Sequence, residues 1–435
     1  MKKIFVSVGV VALGAAAVHA SDAGLAMGGD NSKPWSVGAS LRGFYDDNYT
    51  TSPNDTKRDS FGLTASPYIA YKLPLDQTTL GFRYTYGASW YQDRADLNSE
   101  NNAWDQSHEF ELLLNHSFNE RFTLDVTDSF VIAQEPALLN DVALPYRTEG
   151  NNIRNHGEIT LNGTLTRQLS FVVGYQNSFY DYDNEGSGVP ATDAFDPSLS
   201  GLLDRVEHEA LFNLRWQALP RTVLVGGYNY KQVDYTSDEV VAPTILPVTY
   251  LDSKTRNSRS HIFYGGVDQN FTKELTLSLR LGAEMVEKYN APAGDPNDEA
   301  TSPWGTIGLT YNYAAGSSVQ IGFTHKRNQT DVVQPDALGY ITSDQQTSVI
   351  YGNINHRFTP KLSGRLSLQW QDSQFFGGAN DGISENFLYG GVSCAYRFSQ
   401  YLTGDLGYDF SQLTSDISGR DYDRNRIYLG VTAAY

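Results

Sequence analysis

The stretch HRFTPKLSGRLSLQW (356–370) returns forty positions later as YRFSQYLTGDLGYDF (396–410). Each copy holds an Arg-Phe pair, a short polar break and then strict alternation of apolar and polar residues. A period of two places alternate side chains on opposite faces of a strand. Leu362, Gly364, Leu366, Leu368 and Trp370 therefore share one face, and Ser363, Arg365, Ser367 and Gln369 the other. The break itself has the length and residue types of a hairpin turn.

The same unit recurs along the chain. YKLPLDQTTLGFRYTYG (71–87), NHSFNERFTLDVTDSF (115–130), LTRQLSFVVGYQNSFY (165–180), RWQALPRTVLVGGYNY (215–230), DQNFTKELTLSLRLGAE (268–284) and YNYAAGSSVQIGFTHK (311–326) bring the total to eight short-turn hairpins. Longer polar stretches separate them, such as DDNYTTSPNDTKRD (46–59), DYDNEGSGVPATDAFDPSLSG (181–201) and YNAPAGDPNDEATSP (289–303). With a first strand from about Trp35 to Tyr45 and a last from about Arg424 to Tyr435, the expectation is eighteen antiparallel strands, with sixteen as the fallback. A β-propeller also repeats near this spacing, but its blades need three tight connections per repeat. Here one short and one long connection alternate, the asymmetry of a transmembrane up-and-down β-barrel with short periplasmic turns and long outer loops.

The charges decide which face meets lipid. A slip of one residue would turn Arg365 outward, at a cost of about 2–4 kcal/mol near the bilayer midplane. The same split recurs: Phe110, Leu112 and Leu114 oppose Glu109 and Glu111, while Leu275, Leu277, Leu279 and Leu281 oppose Arg280 and Glu284. A soluble sandwich alternates too, with its apolar face as the core. Tyr71, Phe118, Trp216, Phe271, Tyr313, Phe358 and Phe398 lie just before the short turns, where an interfacial aromatic girdle belongs.

Composition agrees. The 435 residues carry a formal charge of -18, too acidic for a nucleic-acid surface. Cys394 is the single cysteine, so no disulfide framework supports the fold. Mean hydropathy is -0.41, and no apolar run after residue 20 reaches the roughly 18 residues of a membrane-spanning helix. Residues 1–20 have the charged, apolar and small-residue zones of a secretory signal peptide. That leaves residues 21–34 as a short periplasmic segment and 35–435 as the barrel.

At the far end, RIYLGVTAAY (426–435) alternates and finishes on Tyr435, which resembles the terminal signal of outer-membrane barrels and implies insertion by the barrel-assembly machinery. SLRGFYDDNYTTSP (40–53) resembles the first-strand motif of the putative β-barrel porin family of Gram-negative outer membranes, through Tyr45, Asp46, Asp47 and Asn48. That resemblance implies an outer-membrane, channel-like barrel, some relatives of which are associated with exopolysaccharide export.

No nucleophile, zinc or phosphate-binding motif stands out. His108, His116, His156, His208, His261, His325 and His356 are scattered, although distant strands are able to assemble a triad. DYDNEGSGVPAT (181–192) starts like a calcium loop, yet Thr192 occupies the place of the bidentate Glu and the reading is a solvated acidic loop. No cofactor is expected. The functional content falls on the bore, where Arg42, Arg83, Arg215, Arg280, Arg365 and Arg426 face Glu109, Glu111, Glu207, Glu209, Glu284, Asp405 and Asp409. Such mixed charge either pairs structurally or screens solutes. The acidic loops at 181–201 and 236–258 are expected to narrow the bore. The expected function is passive diffusion of small hydrophilic solutes; the alternatives are a plugged structural or surface-interaction barrel and an outer-membrane component of exopolysaccharide export. Expected partners are outer-membrane lipid, lipopolysaccharide, the assembly machinery and a second copy of the chain.

Overall fold

The computed structural model describes residues 33–94, 103–133, 151–183, 198–243 and 250–435. The expected signal peptide, nearly all of the 21–34 segment, and residues 184–197 of the acidic loop lie outside these. The first half of the wall comprises β1 (Trp35–Asp46), β2 (Ser60–Pro74), β3 (Thr78–Tyr91), β4 (Trp104–Asn119), β5 (Phe122–Ala133), β6 (Asn152–Thr164), β7 (Leu169–Tyr182), β8 (Arg205–Leu219) and β9 (Thr222–Tyr235). A short helix α1 (Leu199–Leu203) precedes β8, and a small hairpin of β10 (Val240–Pro243) and β11 (Tyr250–Asp252) follows β9. The wall continues with β12 (Ser258–Asn270), β13 (Leu275–Glu287), β14 (Glu299–Ala314), β15 (Ser317–Gln329), β16 (Asp344–Arg357), β17 (Leu362–Phe376), β18 (Ser384–Arg397), β19 (Leu402–Ser415) and β20 (Tyr422–Ala434).

Those eighteen wall strands form one sheet in which every strand pairs antiparallel with its chain neighbour, and β1 closes on β20. Closure leaves no edge, which a spanning sheet requires because lipid cannot satisfy backbone N–H and C=O groups. All eight short turns lie where the repeat placed them. Leu368 and Leu406 are each 51% exposed on the outer face, while Arg365 on the opposite face is half-buried.

Turn chemistry accounts for the opening repeat. In the turns 165–168, 271–274, 358–361 and 398–401 the second residue is Thr166, Thr272, Thr359 or Ser399. The hydroxyl of Thr359 accepts from the N–H of Lys361 at 3.2 Å and Leu362 at 2.9 Å, and Thr166 and Thr272 do the same in their own turns. Ser399 accepts from Tyr401 at 3.2 Å. The preceding aromatic folds back over the next strand: a Cβ on Gly364 would lie 2.9 Å from the Phe358 ring, and one on Gly404 would lie 2.8 Å from that of Phe398. Phe, hydroxyl and Gly at fixed offsets thus form one device, used twice.

The wall strands run from 12 to 16 residues, beyond the roughly 9–11 that cross a membrane. The excess projects past the outer surface, and there the barrel has its dense packing. Tyr91, Tyr182, Val233, Tyr235, Phe375, Leu413 and Tyr422 are all almost wholly buried, and all lie near the long-loop ends of their strands. Lower in the bore, Thr127 and His156 remain exposed on the inner face.

Candidate functional site

The bore is lined by the face opposite the exposed apolar residues, and most of its charges are matched across neighbouring strands. Arg42 on β1 reaches Asp405 on β19 at 2.8 Å and lies over the Tyr428 ring at 4.4 Å. Arg83 lies 3.8 Å from Glu111 and over the Tyr68 ring, with Glu109 in the same surroundings beside Arg154. Asp268, which the sequence reasoning passed over, receives Arg215 at 3.0 Å and Arg280 at 2.7 Å. Its own strand alternation, with Asp268 in register with Ser278 and aligned with Tyr264, was signal enough to find it.

Higher in the bore, Glu207 is held by Arg205 at 2.7 Å and by Lys231 at 2.8 Å. Glu209 accepts from the Asn229 amide at 2.6 Å, and Glu284 accepts from the backbone N–H of Arg327 at 3.2 Å. Arg365 donates to Asn355 at 3.0 Å, Asp409 accepts from the Tyr389 hydroxyl at 3.1 Å, and the Arg426 guanidinium lies over the Phe44 ring at 4.0 Å. Matched rows of this kind tie strands of the wall together.

The mouth is where the sequence reading was incomplete. Of the two loops expected to narrow the bore, α1 and the segment 250–257 do pack inward, but the residues that cross belong to 330–343, between β15 and β16. Asp331 accepts from Arg420 at 3.0 and 3.2 Å, and Arg420 also donates to Glu385, at the start of β18, at 3.2 Å. Next to Asp331, the Thr330 carbonyl accepts from Arg256, whose other nitrogen donates to the Leu202 carbonyl at 2.9 Å. Val333 packs on the cluster of Tyr182, Leu202 and Leu203. Tyr182 ends β7 and Glu385 begins β18, and eight wall strands separate β7 from β18 in either direction. Four consecutive residues thus link opposite sides of the mouth.

The rest of that segment is clamped to the loop after β17. Thr342 donates from its backbone N–H to the Gln334 carbonyl at 3.2 Å and from its hydroxyl to the Gly377 carbonyl at 2.9 Å. Gly378 has φ of 60°, and a Cβ there would lie 2.1 Å from the Gln334 carbonyl oxygen, so only glycine fits. Burial works to lower the Arg420 pKa, but Asp331 and Glu385 outweigh it and raise it. Burial pushes the Asp204 carboxyl, at the foot of α1, up to about 6 although Ser200 and the Tyr182 N–H donate to it. Lys288, beside Ser343 and Asp344, is lowered by burial.

On the other side of the mouth the first-strand motif closes the seam. Arg424 of β20 places Nε 2.9 Å from both carboxylate oxygens of Asp46. Asp47 accepts from the Asn425 amide at 2.7 Å, and Asn48 donates to the Asp423 carbonyl at 3.0 Å. At the periplasmic end Tyr435 exchanges backbone bonds with Val37 at 2.8 and 3.0 Å, and its ring lies 6.0 Å from that of Trp35.

Among the described residues no histidine is hydrogen-bonded to a carboxylate. His108, His208 and His261 lie on the outer face, each stacked on a tyrosine of the preceding wall strand and bonded to its hydroxyl through Nδ1 at 2.7–2.9 Å. In the bore, His156 meets Ser178 at 2.9 Å, and Ser178 is in register with Glu207 on its other side. Serine stands in the middle there, whereas a triad needs the imidazole between nucleophile and acid. Among the described residues no group of three His, Cys, Asp or Glu side chains is placed to hold a metal ion.

Residues 309–435 match the family model described as "Putative beta-barrel porin 2". No curated protein matches the chain. Among solved structures the chain is similar to the outer membrane protein OpdK of Pseudomonas aeruginosa, at 12% identity over 92% of this chain and 99% of that one, TM-score 0.44. OccAB3 of Acinetobacter baumannii gives 12% identity, the same coverages and TM-score 0.44. OccK9 (OpdG) of P. aeruginosa gives 13% identity, 92% and 98% coverage and TM-score 0.44.

Proposed function

We propose that this chain, an outer-membrane β-barrel whose residues 309–435 match a porin family, is a passive channel for small hydrophilic solutes, narrowed at its outer mouth by residues 330–333. The observation that carries the reading is the contrast between the two levels of the barrel. Midway down, the inner face is charged, polar and exposed at Thr127 and His156. At the mouth, Thr330 is 1% exposed and Asp331 7%. A wet bore under a thin polar crossbar passes solutes around that bar, and the crossbar sets the size limit.

Mechanistically this needs no cofactor. The sheet replaces lipid with a polar lining, and the rows of Arg42, Asp405, Arg215, Asp268 and Arg280 give that lining a transverse field that orders solutes by charge and dipole. Lipid and lipopolysaccharide contact the outer face, and the barrel-assembly machinery inserts the chain.

The packing of the mouth also favours a second reading, a barrel sealed at rest that works through its outer surface. Liposome swelling separates the two. The purified chain, reconstituted without dye or label, should admit arabinose and glucose and exclude stachyose. Swelling at the protein-free rate for every sugar would leave the sealed barrel standing.

A further inference from the structure

Among the described residues, Asp128 is a charge on the lipid-facing surface with apolar residues on both sides of it along its strand. On β5 the outer face presents Leu124, Val126, Asp128, Phe130 and Ile132. Register fixes this assignment: Asp128 stands opposite Leu112 on β4 and Gly157 on β6, and Leu112 is 40% exposed with the rest of the apolar face. Apolar residues flank Asp128 on the same face both below and above, so headgroups of neither leaflet lie beside it. Among the described residues its donor is Asn155, also on the outer face, whose amide lies 3.2 and 3.1 Å from the two oxygens.

The polarity continues sideways. Gly157 is in register with Asn177 on β7, and Asn177 with His208 on β8. His208 Nδ1 is met by the Tyr175 hydroxyl at 2.7 Å and the Asn177 amide at 3.1 Å, which leaves Nε2 as the proton-bearing atom. Gly157 opens a notch in the middle, where an added Cβ would meet only the Asp128 carboxylate, at 3.0 Å. By contrast β2 shows Phe61, Leu63, Ala65, Pro67, Ile69 and Tyr71 on this face without interruption.

Ionisable groups inside a membrane are costly and ordinarily face protein or water, and polar side chains there join one spanning element to another. Acyl chains offer no donor to a carboxylate. We propose that the outer face of β5–β8, centred on Asp128, is the surface on which a second copy of this chain docks. The patch is self-complementary: the asparagine amides are already satisfied within the chain, by Asp128 and the Ser129 carbonyl and by the Glu207 carbonyl and His208, which leaves Asp128 and the asparagine side-chain carbonyls as acceptors and His208 Nε2–H as the donor. A second copy inserted in the same orientation brings these groups to the same depth without further adjustment. The inference is independent of whether the bore conducts.

Native Cys394 makes the control, because it lies exposed on the outer face of β18, opposite β7 across the barrel. Membranes containing either the native chain or a Cys394→Ser, Ile159→Cys chain are treated with a short bis-maleimide and resolved on denaturing gels. Cross-linking to twice the chain mass at position 159 and not at 394 is expected. Adding Asp128→Leu should cut that product about tenfold while the unheated barrel keeps its mobility. Equal products at both positions, no product at 159, a product of another mass, or an unchanged yield with Asp128→Leu would each overturn the proposal.

Discussion

Asp46 on the first strand and Arg424 on the last meet across the closing seam, with Nε of Arg424 2.9 Å from both carboxylate oxygens and Asp46 at 0% exposure. Removing one partner strands a buried charge, which costs about 3–5 kcal/mol. Asp46→Ala should therefore lower the urea midpoint of the refolded barrel, read from the mobility shift between folded and unfolded bands. The double variant Asp46→Leu, Arg424→Leu should recover part of the loss, since replacing both charges removes the stranded one. An Asp46→Ala midpoint equal to that of the native chain would contradict the seam's role.

The face assignment is tested by two neighbouring positions. Leu368 faces lipid and Gln369 the bore, so Leu368→Arg should cost about 2–4 kcal/mol in folding into bilayers while Gln369→Arg costs little. Equal penalties at the two sites would mean that the register is wrong.

The crossbar rests on Asp331 and Arg420, 3.0 Å apart. Asp331→Ala leaves Arg420 with Glu385 alone and frees the segment from that side of the mouth, so single-channel conductance should rise about twofold and permit larger sugars. Conductance unchanged from the native value would show that another segment sets the limit.

Acid should close the mouth. Burial raises Asp204 from 3.8 to about 6, so the docked arrangement of α1 binds a proton more tightly than an undocked, solvated one. A raised carboxyl favours the docked state at low pH, and that preference is lost as pH rises through about 6. Asp181 and Glu239 add to the repulsion once Asp204 ionises. Mean conductance should increase between about pH 4 and 6, and Asp204→Asn should flatten the profile at its acid value. A profile equally steep in Asp204→Asn would assign the effect elsewhere.

The wall of this barrel is legible in sequence because bilayer thickness is a single physical constraint, imposed on every strand alike. It sets the distance from Phe358 to Phe398 and the alternation after each turn. The same alternation puts Arg42, Glu207 and Arg280 on one face of the sheet. Their partners were harder to see, since Arg42 and Asp405 meet only when the sheet closes on itself. Local pattern carries nothing about the crossbar: Asp331 and Arg420 are 89 residues apart, and each sits in an irregular loop. Asp128 was legible as an exception, standing in the apolar register of Leu124, Val126 and Phe130.

Planar-bilayer recording of the purified full chain tests the central claim most directly. Discrete, stable conductance steps from the native protein, enlarged in Asp331→Ala, are the predicted result. A silent membrane with both proteins, each verified as a folded barrel, would contradict the channel.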